Sequence, residues 1–79
     1  MTVLFFATAR AATGRSQEEI PVLGALSEGE LWEELITRHP ALAEIRASTR
    51  LACNGVYADA GSVFSDSDEV ALIPPVSGG

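Results

Sequence analysis

Only one segment of this chain carries a helical period long enough for several turns, so it must serve as the main helix of whatever forms around it. Ser27 followed by Glu30 is a capping-box signature, in which the serine hydroxyl accepts the glutamate N–H and the glutamate side chain reaches back to the serine N–H. Leu31, Trp32, Leu35 and Ile36 then recur at helical spacing on one face. Glu28, Glu30, Glu33 and Glu34 crowd the N-terminal half, where the helix dipole favours negative charge, while Arg38 and His39 suit the C-terminal end. Pro40 disfavours helical backbone in the residue before it, so the spacing predicts a helix over Glu28–His39.

The rest of the chain reads as short strands. Thr2–Ala9 is rich in β-branched and aromatic residues, with Val3, Phe5 and Ala7 on one face and Leu4 and Phe6 on the other, a pattern that predicts a strand covered on both sides. Gly14 marks a turn in Thr13-Gly14-Arg15-Ser16, and Glu19-Ile20-Pro21-Val22 offers a weaker returning strand that Pro21 keeps short or near an edge. Ala41–Ile45 suits a short helical turn. Arg50–Cys53 and Val56–Ala58 flank Asn54-Gly55, a dipeptide that favours the two-residue hairpin turn because both of its positions require positive φ. Asp66-Ser67-Asp68 makes another turn before the apolar strand Val70–Ile73, which Pro74-Pro75 must end.

With 79 residues there is room for one domain and no deep catalytic cleft. The economical way to bury these patterns is an α+β fold: a mixed sheet of four to five strands with one main helix on one face, over residues 1–73, followed by an extended tail over residues 74–79. This outline resembles the ubiquitin-like β-grasp.

Composition narrows the function. A chain that is 47% hydrophobic and 20% charged is too apolar to stay disordered. Its apolar runs are strand-sized, and Met1-Thr2 lacks the basic flank of a signal peptide, so no membrane association and a cytoplasmic location are expected. The single cysteine, Cys53, cannot pair internally and fits a reducing compartment. A net charge of −6 with five scattered arginines argues against nucleic acid and for basic protein surfaces as partners. All five are arginines, and the chain contains no lysine.

Side-chain catalysis has little to work with. His39 at a helix end reads as a solvated or dipole-stabilising histidine, Cys53 in a strand as a small buried hydrophobe, and the Glu28–Glu34 carboxylates as a solvated helix face. No pattern suits a bound metal or cofactor.

The C-terminal run Pro74-Pro75-Val76-Ser77-Gly78-Gly79 is different. The prolines restrict it to an extended path away from the sheet, and six residues reach at most roughly 20 Å, enough to thread another protein's active-site tunnel. Glycines pass a channel too narrow for side chains and leave the terminal carbonyl open to attack. The Gly79 carboxylate, ionised at neutral pH, could attack the α-phosphorus of ATP to give an acyl adenylate open to a sulfur nucleophile, the chemistry being supplied by a partner enzyme.

Val3-Leu4-Phe5-Phe6-Ala7 with Arg10 and Gly14, Asn54-Gly55, Asp68-Glu69-Val70-Ala71 and the Pro74–Gly79 tail together resemble the small subunit of molybdopterin synthase, the ubiquitin-like sulfur carrier of molybdenum cofactor biosynthesis. The resemblance covers essentially the whole chain. It implies that Gly79 is adenylated by a ubiquitin-activator-like enzyme using ATP and converted to a thiocarboxylate by way of a sulfur donor protein. The loaded tail, Pro74, Pro75, Val76, Ser77 and Gly78 threading ahead of it, would then enter the large synthase subunit of an expected heterotetramer and donate sulfur to cyclic pyranopterin monophosphate. The carrier itself binds no cofactor in that scheme, and Phe6, on an apolar sheet face, and Arg10 are partner contacts. Ser77 stands where many relatives have Thr, Ser67 where a turn glycine is frequent, and Ala11 where Glu is common. The same activated glycine would also serve a sulfur carrier for thiamine or cysteine biosynthesis, or a ubiquitin-like protein modifier.

Overall fold

The computed structural model describes residues 1–75. Seven strands and two α-helices follow one another as β1 (Thr2–Phe5), α1 (Ala7–Thr13), β2 (Gln17–Glu19), β3 (Ala25–Ser27), α2 (Glu28–Arg38), β4 (Arg50–Cys53), β5 (Val56–Tyr57), β6 (Val63–Ser65) and β7 (Glu69–Ile73), with 3-10 turns at Pro40–Glu44 and Arg46–Ser48. The main sheet has the order β2-β1-β7-β4-β5, and β3 pairs with β6 as a separate ribbon. At its centre β1 and β7 run parallel, Thr2 beside Glu69 and Phe5 beside Leu72, while every other pairing is antiparallel. The arrangement is the ubiquitin-like β-grasp.

One face of this sheet carries the core. Alternation sends Val3 and Phe5 of β1, Val70 and Leu72 of β7 and Leu51 of β4 inward, where they meet Leu31, Trp32 and Leu35 of α2, and all eight are buried. Helix α2 starts as its sequence requires: the Ser27 hydroxyl accepts the Glu30 N–H at 3.2 Å, and the Glu30 carboxylate accepts the Ser27 N–H at 2.9 Å. It ends at Arg38, and Pro40 opens the following 3-10 turn, as a proline without an N–H can.

Three features differ from the sequence reading. The first strand stops at Phe5, and Ala7–Thr13 is an alanine-rich helix closed by Gly14, whose φ of 74° is the left-handed cap conformation glycine adopts freely. The returning strand is Gln17–Glu19, earlier than the Glu19–Val22 run, and Ile20 and Val22 are buried beyond it. The ribbon β3–β6 was not foreseen. Ser67 stands in a turn without positive φ; among the described residues only Ala7 (46°) and Asn54 (51°) combine a side chain with that conformation.

Candidate functional site

Among the described residues nothing packs over the sheet's second face. Leu4 of β1, Ala71 and Ile73 of β7 and Ala52 of β4 point away from α2 and are half-buried, while Phe6 and Tyr57 are 47% and 51% exposed. These side chains, with Gly55 and Glu69, line a groove of about 310 Å³. The residues that made Thr2–Ala9 look covered on both sides thus include an outward set that no other described element buries, and Phe6 is among the residues that line the groove. Contiguous apolar surface with a polar rim is the form of an interaction site.

The register explains its shape. Parallel pairing sets Leu4 beside Ala71, and antiparallel pairing sets Ala52 beside Ala71 and Tyr57 beside Ala52. Two adjacent alanines make a shallow floor, and Leu4, Phe6, Ile73 and Tyr57 make the walls. The Asn54-Gly55 turn has φ of 51° and 85°, as the two-residue hairpin demands. The Asn54 side chain ties the turn to β7, with its carbonyl accepting the Glu69 N–H at 3.0 Å and its amide donating to Asp68 at 3.0 Å. The Ser65 N–H and the Asn54 amide hold the Asp68 carboxyl below its ordinary range.

Strand β7 leads from this face towards the chain's end: Ile73 is its last residue, Pro74 is half-buried and Pro75 exposed. Val76, Ser77, Gly78 and Gly79, the other predicted tail residues, lie outside the described residues. Arg10 is exposed on α1 and does not line the groove. Leu4, Ala52, Tyr57, Ala71 and Ile73 were missed as site residues; their signal was the outward half of each alternating strand, which from sequence alone looks like a second core face.

The two nominal catalytic side chains are structural. Glu18 pairs with Val3 and so points to the helix side of the sheet, where its carboxylate accepts from His39 Nε2 at 2.6 Å and from Arg38 at 2.9 Å. Its side chain is only 10% exposed. Burial pushes the Glu18 carboxyl up, but the His39 and Arg38 hydrogen bonds and nearby positive charge outweigh it and hold the group below its ordinary value. His39 is the C-cap of α2, as a residue at the helix end should be, but its ring is a half-buried partner of β2 packed edge-on against Phe5 and is not solvated. Cys53 packs against the core, and burial together with the Asp68 charge pushes its thiol up, away from the reactive thiolate. Among the described residues no cluster of His, Cys, Asp and Glu could hold a metal, and no helix is long and apolar enough to cross a membrane.

Fold and face together define the class: a small β-grasp protein that presents an apolar sheet surface beside the strand leading into its own C-terminus. Within that class the chain belongs to the ThiS family, which matches residues 3–79. It is 40% identical to the molybdopterin synthase sulfur carrier subunit of Homo sapiens, over 98% of this chain and 91% of that one. It is 34% identical to the subunit of the same name from Mycobacterium tuberculosis, over 100% of this chain and 96% of the relative. Among solved structures, the small archaeal modifier protein 1 of Haloferax volcanii superposes with a TM-score of 0.83 at 26% identity, covering 95% of each chain.

Proposed function

We propose that the chain is the sulfur carrier of molybdenum cofactor biosynthesis. The observation that carries this reading is similarity along the whole chain to proteins named molybdopterin synthase sulfur carrier subunit. The open apolar face beside the strand that precedes the tail supports it.

In this reading the Gly79 carboxylate attacks the α-phosphorus of ATP, pyrophosphate leaves, and hydrosulfide then displaces AMP from the acyl adenylate and loses its proton to give the thiocarboxylate. A ubiquitin-activator-like enzyme binds the ATP and provides electrophilic stabilisation, and a sulfur donor protein's persulfide, reduced by a thiol, releases the hydrosulfide. The loaded carrier docks its sheet face on the large synthase subunit, and Pro74–Gly79 enters that subunit's active site, where sulfur passes to cyclic pyranopterin monophosphate. The carrier contributes the reacting carbonyl and its placement, and the partners contribute the catalysis.

The test is intact mass spectrometry of the carrier after incubation with ATP, activating enzyme and sulfur source. The expected product carries one oxygen-to-sulfur exchange, and a variant lacking Gly79 gains none and supports no dithiolene formation. Dithiolene formation with the shortened carrier would refute the reading.

A second reading, a protein modifier, is favoured by likeness to the archaeal modifier protein. It predicts isopeptide-linked Gly-Gly remnants on lysines of other proteins. With no lysine of its own, the chain offers no side-chain amine for linking copies of itself.

A further inference from the structure

Arg50 opens β4 on the outward face of the sheet. Side chains alternate along a strand, so Arg50 and Ala52 share that face, and the register sets Ala52 opposite Tyr57 and Arg50 opposite Ile73. Tyr57 is therefore the diagonal neighbour of Arg50, within reach of a long side chain. The Arg50 guanidinium carbon lies over the Tyr57 ring, 3.8 Å from its centroid, a cation–π contact. A ring face accepts no ordinary hydrogen bond from all five guanidinium N–H groups, so donors remain for an anion.

That anion is not supplied by the described residues. Arg15 and Arg38 are paired with carboxylates, whereas among the described residues no carboxylate lies within salt-bridge distance of Arg50. In a chain with 11 acidic residues against five arginines, this arginine is placed by an aromatic ring and not by a counter-charge. Its position is distinctive as well. Ile73 opposite it is the last residue of β7, so the cation stands at the root of the tail, while Glu69 lines the groove at the other end of the same strand. The docking face thus has a positive end beside the tail and a negative end away from it.

Resting on the docking reading above, we propose that Arg50, presented by Tyr57, orients the carrier on the large synthase subunit by pairing with an aspartate or glutamate of that subunit beside the opening the tail enters. A protein carboxylate suits the site better than a small free anion. One cation on the rim of an apolar groove holds a small anion weakly in water, whereas a desolvated arginine beside an aromatic anchor is a typical strong point of a protein interface. The pair also rejects the reversed pose, which would bring Glu69 against the same carboxylate and direct the tail away from the opening. Arg50 is a positioning residue and takes no part in the sulfur chemistry.

The test measures binding of the full-length carrier to the large subunit by titration calorimetry, at low salt and at about 1 M salt, where screening shortens to about 3 Å. Arg50→Glu is expected to weaken binding at least tenfold at low salt, the size of a modest interfacial charge coupling. Arg50→Gln should weaken it less, Arg50→Lys should retain part of the affinity, and the differences should shrink at high salt. Reversing one acidic residue of the large subunit to lysine should restore Arg50→Glu. Phe6→Asp serves as the control for the face itself, and thermal unfolding confirms that each variant is folded. If Phe6→Asp loses binding while Arg50→Glu and Arg50→Gln bind like the parent, the Arg50 proposal is overturned and the docking face stands. If Phe6→Asp also binds like the parent, the docking reading fails. A salt-independent loss in Arg50→Glu that no acidic-to-lysine reversal rescues also overturns the proposal.

Discussion

Replacing Phe6 by aspartate should separate folding from docking. Phe6 is the N-cap of α1, with extended backbone (φ −123°, ψ 154°) and no side-chain cap hydrogen bond. Its ring is 47% exposed, so the fold buries roughly half of it. Full burial of such a side chain contributes about 1.5–3 kcal/mol, and the half removed here is therefore worth about 0.8–1.5 kcal/mol. An N-cap aspartate returns about 1 kcal/mol by accepting an unpaired N–H of the first turn. The two nearly cancel, and the stability of Phe6→Asp should stay within about 1 kcal/mol of the parent, a melting shift below about 8 °C. Docking responds differently. The remaining half of the ring is lost to the interface, again about 1 kcal/mol, and a carboxylate is desolvated against apolar surface without a partner, at about 3 kcal/mol or more. The sum of about 4 kcal/mol is a loss of about 10³-fold in affinity. Thermal unfolding and calorimetric titration with the large synthase subunit read the two quantities separately. Destabilisation beyond about 2 kcal/mol would mean the ring belongs to the core, and affinity within about threefold of the parent, under 1 kcal/mol, would mean the face is not the interface.

Two further outcomes follow from the helix start and the carboxylates. Ser27→Ala removes the hydroxyl of the α2 capping box and should cost about 1 kcal/mol, lowering the melting temperature by about 4–8 °C; an unchanged melting temperature would refute the cap's contribution. Glu18, Glu30 and Asp68 are all held below their ordinary values in the folded chain, Glu18 because its burial is outweighed by the hydrogen bonds from His39 and Arg38 and by the His39 and Arg15 charges, Glu30 through the Ser27 N–H, and Asp68 through the Ser65 N–H. Their stabilisation is present above the unfolded carboxylate values near 4, and is lost as pH falls through the folded ones. The urea midpoint should therefore hold from pH 7 to about 5 and drop below about 4, with Glu18→Gln dropping less. A midpoint that rises on acidification would contradict this.

How much of the molecule the sequence disclosed depended on the range of the interactions involved. Helix α2 was legible because its period and its capping box are local, and the Asn54-Gly55 turn because two φ values decide it. The β1–α1 boundary was not, since Val3, Phe5 and Ala7 continue a strand alternation that the backbone abandons at Ala7. The alanine-rich run ending in Gly14 was the available signal, but the positive φ at Ala7 is imposed by the surrounding fold and not by any preference of alanine. Strands β3 and β6 have three residues each, and Leu26 meets Phe64 across a long stretch of chain, so no local pattern marks either. The same limit hid the environment of His39, whose partner Glu18 lies 21 residues earlier. The proposed docking face was half visible: Phe6 came from the resemblance, which also named Arg10 away from the groove, whereas Tyr57 and Arg50 acquire meaning only once β4 and β5 are paired.

The central parallel pair explains how so small a body could direct the proposed reaction at its end. Strand β7 has one side chain in two locked inward for each neighbour that faces out: Val70 and Leu72 are fully buried against the helix side, and Ala71 and Ile73 form the floor and wall of the groove. Hydrogen-bonded neighbours on both sides, β1 and β4, prevent this strand from shifting alone. A partner seated on the outward face therefore grips the strand from which the tail departs, and two prolines follow at once, narrowing the backbone directions available beyond Ile73. On the proposed carrier function, contacts made on the sheet set where the tail begins, which is the physical reason that substitutions at Phe6 or Arg50, neither of them in the tail, should alter delivery of sulfur.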